Sequence, residues 1–325
     1  MTGATANGPT GAGATGTGLL HDALFYGADD ELVATAAPFL RAGMEAGDRT
    51  LLVCTEHNTA LLTEALDGDP RLRTVPAGDT YRRVPGTIDA YRHLMLREVA
   101  GGTRRVRLVG EVNFGDSPGE WEEWTRYEAV CNRALAPYPL WAICLYDTRQ
   151  LPAQVLTAGL QTHPHLVGVA SRRSNPHYID PADFLRRSAR RSPDPAEAGP
   201  PVLVVDDLTD LGQLRHDLRA ILTGPDLPAE SADGFVLAVS EVAANAVRHG
   251  RPPVAVRLWA GPTRWLCTVT DHGAGIDDPF TGYTPAVPRG LSPAGLGLWL
   301  TRQLCDRVSL TTTRTGFTVR LELRR

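Results

Sequence analysis

Glu241, Asn245 and His249 stand four residues apart in the stretch EVAANAVRHG, residues 241–250. On a helix this spacing puts all three on one face. The alanines at 243, 244 and 246 leave room for other parts of the chain to come close. A carboxylate and an amide presented together can share Mg2+ and its waters, and the carboxylate can orient or deprotonate a nucleophile. A solvated helix face has the same composition, so this stretch alone decides little. Two further stretches add to it. DHGAGI (271–276) ends an apolar run. Its glycines at 273 and 275 let a flat ring or a phosphate meet bare backbone, and Asp271 can accept a hydrogen bond from an exocyclic amine, a way of selecting adenine. AGLGL (294–298) sets Gly295, Leu296 and Gly297 at the start of a helical pattern, where backbone N–H groups and the helix dipole suit phosphate oxygens. Each glycine stretch alone is an ordinary turn or helix start. Together, in this order and spacing, the three point to a nucleotide–metal site.

Composition narrows how such a site can work. The chain of 325 residues contains no lysine; its 33 basic residues are all arginine. Mechanisms that need a lysine on the phosphates, a Schiff base or a protein-kinase strand lysine are excluded. Phosphate must be held by backbone N–H groups, metal and arginine. A net charge of −4 argues against a chain that coats nucleic acid, so no direct nucleic-acid partner is expected. There is no apolar run of about 18 residues and no basic-then-apolar leader, so neither a membrane partner nor export is expected, and the expected location is the cytoplasm. Five scattered cysteines without a CxxC pair indicate neither a disulfide framework nor a structural zinc site, and read as buried small hydrophobes.

The elements that must position these residues follow from periodicity. Residues 1–19 are Gly/Thr/Ala-rich with almost no apolar bulk, a disordered tail by composition. From residue 20 to 187, strand-like runs (23–26, 50–55, 105–112, 140–147, 165–170) alternate with helical patterns (29–45, 58–66, 86–100, 118–135, 152–160). That alternation predicts an α/β domain with helices on both faces of a mostly parallel sheet. The stretch 188–201 (SARRSPDPAEAGPP) reads as a proline-rich linker. In 202–325, a strand within 201–208 and helices over 211–224, 231–250 and 295–305 accompany strands over 254–260, 264–271, 307–313 and 317–323. This pattern predicts an α/β two-layer sandwich with an antiparallel sheet. Ser231 is the expected N-cap of the long helix and Gly250 its stop.

With these motifs in place, residues 202–325 resemble the GHKL (Bergerat-fold) ATPase and kinase superfamily. SEVAANAVRHG, TDHGAGI and GLGLWL are similar to its N, G1 and G2 boxes, and most similar to those of bacterial anti-sigma-factor serine/threonine kinases. The resemblance implies ATP and Mg2+ as cofactors, with Asn245 as metal ligand, Glu241 as activating base and Asp271 on the adenine amine. Gly273 and Gly275 would line the base pocket, with Gly295, Leu296 and Gly297 on the phosphate side and His249 nearby. Thr318, in GFTVRL, matches a threonine often found near the adenine. The Pro/Gly-rich stretch 277–293 would be a mobile lid, with Arg289 as a candidate phosphate contact. The implied partners are a sigma factor and an anti-sigma-factor antagonist, and such domains often form homodimers. A non-catalytic ATP-binding module is the alternative.

HDLR at His216 looks at first like a histidine-kinase phosphoacceptor box. Only about 25 residues separate it from Glu241, too few for a two-helix dimerisation hairpin of roughly 60 residues. In the first domain, HDALFYGADDEL and the strands ending EVNF and CLYD resemble the MEDS sensory domain, which implies a RecA-related α/β core used as a sensor. His21, Glu111 and Asp147 lie at or beside strand ends, where open α/β sheets bind ligands. They are candidates for a sensor pocket, with caps and solvated loop ends as the plainer reading. Trp121 and Trp124 are expected to be packing residues.

Overall fold

The computed structural model describes residues 18–81, 83–188, 194–224, 227–285 and 296–325. Nearly all of the expected tail over 1–19 lies outside the described residues, as do Arg289 and Gly295. The chain divides into two compact units, one made of the residues up to Pro181 other than Arg83–Asp89, the other of Arg83–Asp89 and Ala182–Arg325.

Up to Pro181 the elements are β1 (Leu20–Tyr26), α1 (Asp29–Glu45), β2 (Arg49–Cys54), α2 (Glu56–Ala65), β3 (Leu72–Pro76), α3 (Ala77–Thr80), α4 (Val84–Ala100), β4 (Val106–Gly110), α5 (Pro118–Ala134), β5 (Leu140–Asp147), α6 (Ala153–Thr162), β6 (His165–Gly168) and β7 (Ser171–Ser174). The strands form one sheet in the order β3-β2-β4-β5-β1-β6-β7. All pairings are parallel except that of β6 with β7. Strands buried on both faces read as continuous apolar runs, which is why TLLVC and LWAICLY stand out in the sequence. Leu24, Tyr26, Leu52 and Ile143 pack with Leu32 and Leu40 of α1 and Leu62 of α2 in one core cluster. Trp124 and Tyr127 of α5 close edge-on around Tyr81, so Trp124 is a packing residue, and the Trp121 indole N–H donates to the Gly115 carbonyl at 2.9 Å.

From Ala182 onward come α7 (Pro181–Ser188), a short 3-10 turn (Pro195–Ala198), β8 (Leu203–Val205), α8 (Leu211–Leu222), α9 (Ala229–His249), β9 (Ala255–Ala260), β10 (Arg264–Asp271), α10 (Leu296–Leu304), β11 (Arg307–Thr313) and β12 (Gly316–Arg324). The sheet order is β11-β12-β10-β9-β8, antiparallel throughout. Helices α8 and α9 bury Leu214, Leu218, Phe235, Val236, Val239 and Val242 against Val256, Leu258, Cys267 and Leu321 of the sheet. Each fully buried apolar side chain of this size contributes about 1.5–3 kcal/mol. The result is the two-layer sandwich that the pattern predicts.

Three local expectations are corrected. α9 starts at Ala229 behind Pro228, two residues before Ser231, and no side-chain cap bond is made there; proline, with its preset φ, serves the entry instead. The proline-rich stretch is not wholly a linker. Its second half packs on the sheet: Asp194 pairs with Arg264 at 2.7 Å, Glu197 pairs with Arg320, and the Trp259 indole N–H donates to the Gly199 carbonyl at 3.0 Å. Charge complementarity to the sheet, invisible in composition, anchors it. The expected lid is also anchored in its first half. Tyr283 is 3% exposed, beneath the Arg302 guanidinium at 4.0 Å from the ring centre, and residues 286–293 lie outside the described residues.

Candidate nucleotide site

A cavity of about 640 Å³ lies in the second unit, between α9, the turn after β10, the start of α10 and β12. That volume is within the range of small-molecule sites. The spacing of its apolar residues makes α9 a helix. Phe235, Val239, Val242 and Ala246 face the core at helical intervals, and this fixes the opposite edge, where Glu241, Asn245 and His249 all reach the cavity. Glu241 and Asn245 are half-buried, and neither head makes a hydrogen bond to any described residue. A carboxylate and an amide left without protein partners at a cavity wall are available to a ligand. His249 and Arg248 are exposed at the rim.

Asp271 is placed with more constraint. It is 5% exposed at the end of β10, and its Oδ1 accepts hydrogen bonds from the backbone N–H of Gly273 at 2.6 Å and of Arg251 at 3.3 Å. Oδ2 has no partner among the described residues. One oxygen orients the carboxylate and the other is left for a donor, as recognition of an amine requires. Gly250 ends α9 against this group; a Cβ there would lie 2.5 Å from both the Asp271 Cγ and the Ala246 carbonyl oxygen. The residue that reads from sequence as a helix stop is needed for close approach to Asp271. Gly275 has φ +82, and a side chain there would meet Phe317. Gly297 of α10 lies over the polar face of α9; its Cβ would be 3.0 Å from Glu241 Oε2 and 3.1 Å from Asn245 Nδ2. Leu296 also borders the cavity.

The structure thus brings together Glu241, Asn245, His249, Asp271, Gly273, Gly275, Leu296 and Gly297. Thr318 is not among them. In β12 it pairs with Thr270, Oγ1 to Oγ1 at 2.9 Å, while its neighbours Phe317 and Val319 line the cavity. Side chains alternate along a strand, so the motif match misses the cavity face by one residue. The apolar floor of Val269, Phe317 and Val319 was not singled out from sequence. It was available from alternation, because Val269 and Asp271 share a face and pair with Val319 and Phe317.

The candidates in the first unit do not form one pocket. Asp147 ends β5 opposite Tyr26, and His21 lies five residues earlier on β1, about 17 Å away at strand rise. Asp147 is tied by Arg149 at 2.8 Å, and this guanidinium holds its carboxyl below the usual range. The Glu111 carboxylate accepts from the Thr55 backbone N–H and hydroxyl and from Asn58 at the start of α2. Beside them, burial raises the Tyr26 phenol to about 12. Glu111 and Asp147 therefore cap and brace loop ends, the plainer of the two readings. His21 is buried elsewhere, beside Glu128, Cys144 and His163.

A polar helix face, a fixed carboxylate and glycine-bared turns over an antiparallel sandwich define an ATP-binding domain of the GHKL type. Comparison with known proteins agrees. Residues 204–323 match the histidine kinase-like ATPase domain, and residues 20–164 match the MEDS domain (methanogen/methylotroph, DcmR sensory domain). The chain joins a MEDS sensory domain to a histidine-kinase-like ATPase domain. It is 25% identical over 161 residues to the transcriptional repressor DcmR of Methylorubrum extorquens. That match covers 44% of this chain and 57% of the relative, so the chain spans little more than half the relative's length. Among solved structures, the RsbU and RsbW domains of a Mycobacterium tuberculosis protein are similar, with 21% identity over 39% of this chain and 32% of that one, at a TM-score of 0.28. The histidine kinase domain of the E. coli osmosensor EnvZ is similar at 22% identity over 39% of this chain and 90% of that one, with a TM-score of 0.24. No helix among the described residues is long and apolar enough to cross a membrane.

Proposed function

We propose that the second unit is an ATP-dependent serine/threonine kinase. In this reading it phosphorylates an anti-sigma-factor antagonist and acts as an anti-sigma factor, under control of the MEDS domain. The observation that carries the proposal is that Glu241 and Asn245, whose heads have no partner among the described residues, face the same cavity as Asp271 Oδ2, likewise without a partner among them. Asp271 would receive the adenine amine through Oδ2. Asn245 would hold Mg2+ through its side-chain oxygen, and Glu241 would accept the proton of an incoming hydroxyl. Bound Mg-ATP supplies the phosphoryl group and neutralises its charge. The N–H groups at the start of α10 suit the phosphate oxygens, and with no lysine in the chain they carry more of that task.

A hydroxyl on another protein is favoured over His216 as acceptor. His216 is exposed on α8, and Leu214, Leu218 and Leu222 of that helix are part of the sandwich core. A helix committed to the sandwich does not form a separate dimerisation hairpin.

The test uses the full chain, γ-labelled ATP and a candidate antagonist. Acid-stable label on serine or threonine of the antagonist is expected. Glu241→Gln should bind nucleotide and transfer nothing; Asn245→Ala should lose Mg-dependent binding. An unlabelled antagonist with intact nucleotide binding would make the domain a regulatory ATP-binding module, and acid-labile label lost in His216→Ala would make it a histidine kinase.

A further inference from the structure

His21 on β1, Cys144 on β5, Glu128 on α5 and His163 at the end of α6 come from four separate elements, yet their side-chain heads converge under the sheet. The candidate ligand atoms all lie within 4.8 Å of one another. Glu128 Oε2 is 3.3 Å from His21 Nε2 and 3.6 Å from His163 Nε2. The Cys144 sulfur is 3.3 Å from His21 Nε2 and 3.8 Å from Glu128 Oε2. Bonds of about 2.0–2.3 Å at tetrahedral angles separate the ligand atoms of a zinc site by roughly 3.3–3.7 Å. These four separations, 3.3–3.8 Å, are close to that spacing.

The hydrogen bonds around the group fix which ring nitrogens face inward. The Asn132 amide N–H donates to the carbonyls of Glu128 at 3.1 Å and Thr162 at 2.8 Å, so its oxygen must accept from His21 Nδ1 at 3.2 Å. His163 Nδ1 donates to the Gly159 carbonyl at 2.9 Å. Both rings therefore carry a proton on Nδ1 and aim Nε2 into the cluster. This is the arrangement by which outer partners orient metal-binding histidines.

With both rings neutral and Glu128 ionised, two Nε2 lone pairs and a carboxylate face one another with the Cys144 S–H as the one hydrogen among these four heads, so a proton or a cation must sit between them. His163 Nε2 and Glu128 Oε1 are buried with no hydrogen-bond partner among the described residues. His21, Glu128 and His163 are 4%, 1% and 0% exposed, so the group is closed off from bulk solvent. A cavity of about 20 Å³ borders His21, Glu128 and Cys144.

We infer that His21, Glu128, Cys144 and His163 form a binding site for a divalent transition metal of the zinc class in the MEDS domain. Two imidazoles, a thiolate and a carboxylate are the ligands zinc prefers. One thiolate and one carboxylate balance the ion's two positive charges, so the occupied site is neutral overall and can be buried. Binding forms a sulfur–metal bond and releases the Cys144 thiol proton to solvent. The site links β1, β5, α5 and α6, so occupancy would stiffen the sensory domain across both its layers.

The test is titration of chelator-treated full-length protein with Zn2+ and, as a spectroscopic probe, Co2+. One equivalent should bind, with tetrahedral visible bands, a sulfur-to-cobalt charge-transfer band and release of about one proton. Cys144→Ser should lose the charge-transfer band, whereas Cys267→Ala, in the other unit, should keep it. His163→Gln should weaken Zn2+ binding at least tenfold, with folding checked by circular dichroism. Failure of the folded wild-type chain to bind one equivalent, or a charge-transfer band that survives in Cys144→Ser, would overturn the assignment. If Cys144→Ser does not fold, the wild-type charge-transfer band and proton release decide, and absence of either refutes the site.

Discussion

Gly297→Ala separates the structural from the functional role of the α9 polar face. The new methyl would sit 3.0 Å from Glu241 Oε2 and 3.1 Å from Asn245 Nδ2, with Glu241 Cβ at 3.8 Å as the other near atom. These contacts are with the ends of flexible side chains, which can swing away by a few tenths of an ångström. The backbone is helical there, and alanine is favoured over glycine in a helix by up to about 1 kcal/mol. The variant should thus be as stable as wild type or more so. Its Glu241 and Asn245 heads, however, would be displaced from any ligand they hold. Losing one hydrogen bond to a charged group costs about 1.5–3 kcal/mol, or roughly 10- to 150-fold in Kd. Calorimetric titration with Mg-ATP, alongside thermal unfolding, reads both quantities. A raised or unchanged Tm with Kd weakened at least tenfold is expected. An unchanged Kd in a folded variant would refute the placement of nucleotide against Glu241 and Asn245.

Other substitutions test other parts of the reasoning. Asp271→Asn should keep the turn, since an amide oxygen can still accept from Gly273. It should weaken ATP binding by about 10- to 100-fold, the scale of one charged hydrogen bond, and narrow the preference for ATP over GTP in competition binding. Leu218→Ala, at a site with 0% exposure, should destabilise the second unit by about 2–5 kcal/mol in denaturant unfolding. Asp147→Asn tests the Arg149 brace through pH. The folded carboxyl titrates below its ordinary value, so its stabilisation is fully present above the unfolded pKa and is lost as pH falls through the folded one. The stability gap between wild type and variant should be largest at neutral pH and close below about pH 4.

Much of this molecule could be read from its chain, for identifiable reasons. Strands buried on two faces are continuous apolar runs, so β2 and β5 were visible, and α9 was visible from its spacing. β3 was missed because LRTVP is largely exposed and has no apolar signature; it joins the sheet by pairing with β2. The Glu241–Asn245 face was legible because both residues lie on one helix, where spacing alone decides orientation. Thr318 was misplaced because a short motif in a strand fixes position to within a residue, and one residue reverses the face. The grouping of His21 with Glu111 and Asp147 failed for a different reason. All three flank strands, but in a parallel sheet the start of β1 and the ends of β4 and β5 lie on opposite edges, an order the grouping left out of account. The Cys144 cluster was invisible, since its members are spread over more than 140 residues and only the sheet order β5-β1 with α5 and α6 above it brings them together.

The nucleotide site treats its two carboxylates in opposite ways. Asp271 is gripped by two backbone N–H groups, and a side chain at Gly250, Gly273 or Gly316 would collide with it or its backbone. Three positions are thereby limited to glycine around one acid. Glu241, by contrast, is half-buried with no partner among the described residues. A group that recognises a base gains from being fixed, because discrimination depends on a donor meeting an acceptor that cannot turn away. A group that takes a proton from an incoming hydroxyl gains from freedom to meet it, and from having no competing hydrogen bond to break. Under the proposed kinase reading the free head of Glu241 suits proton acceptance, whereas in a binding module it would only share the waters of Mg2+; Glu241→Gln, assayed for both nucleotide binding and transfer, separates the two.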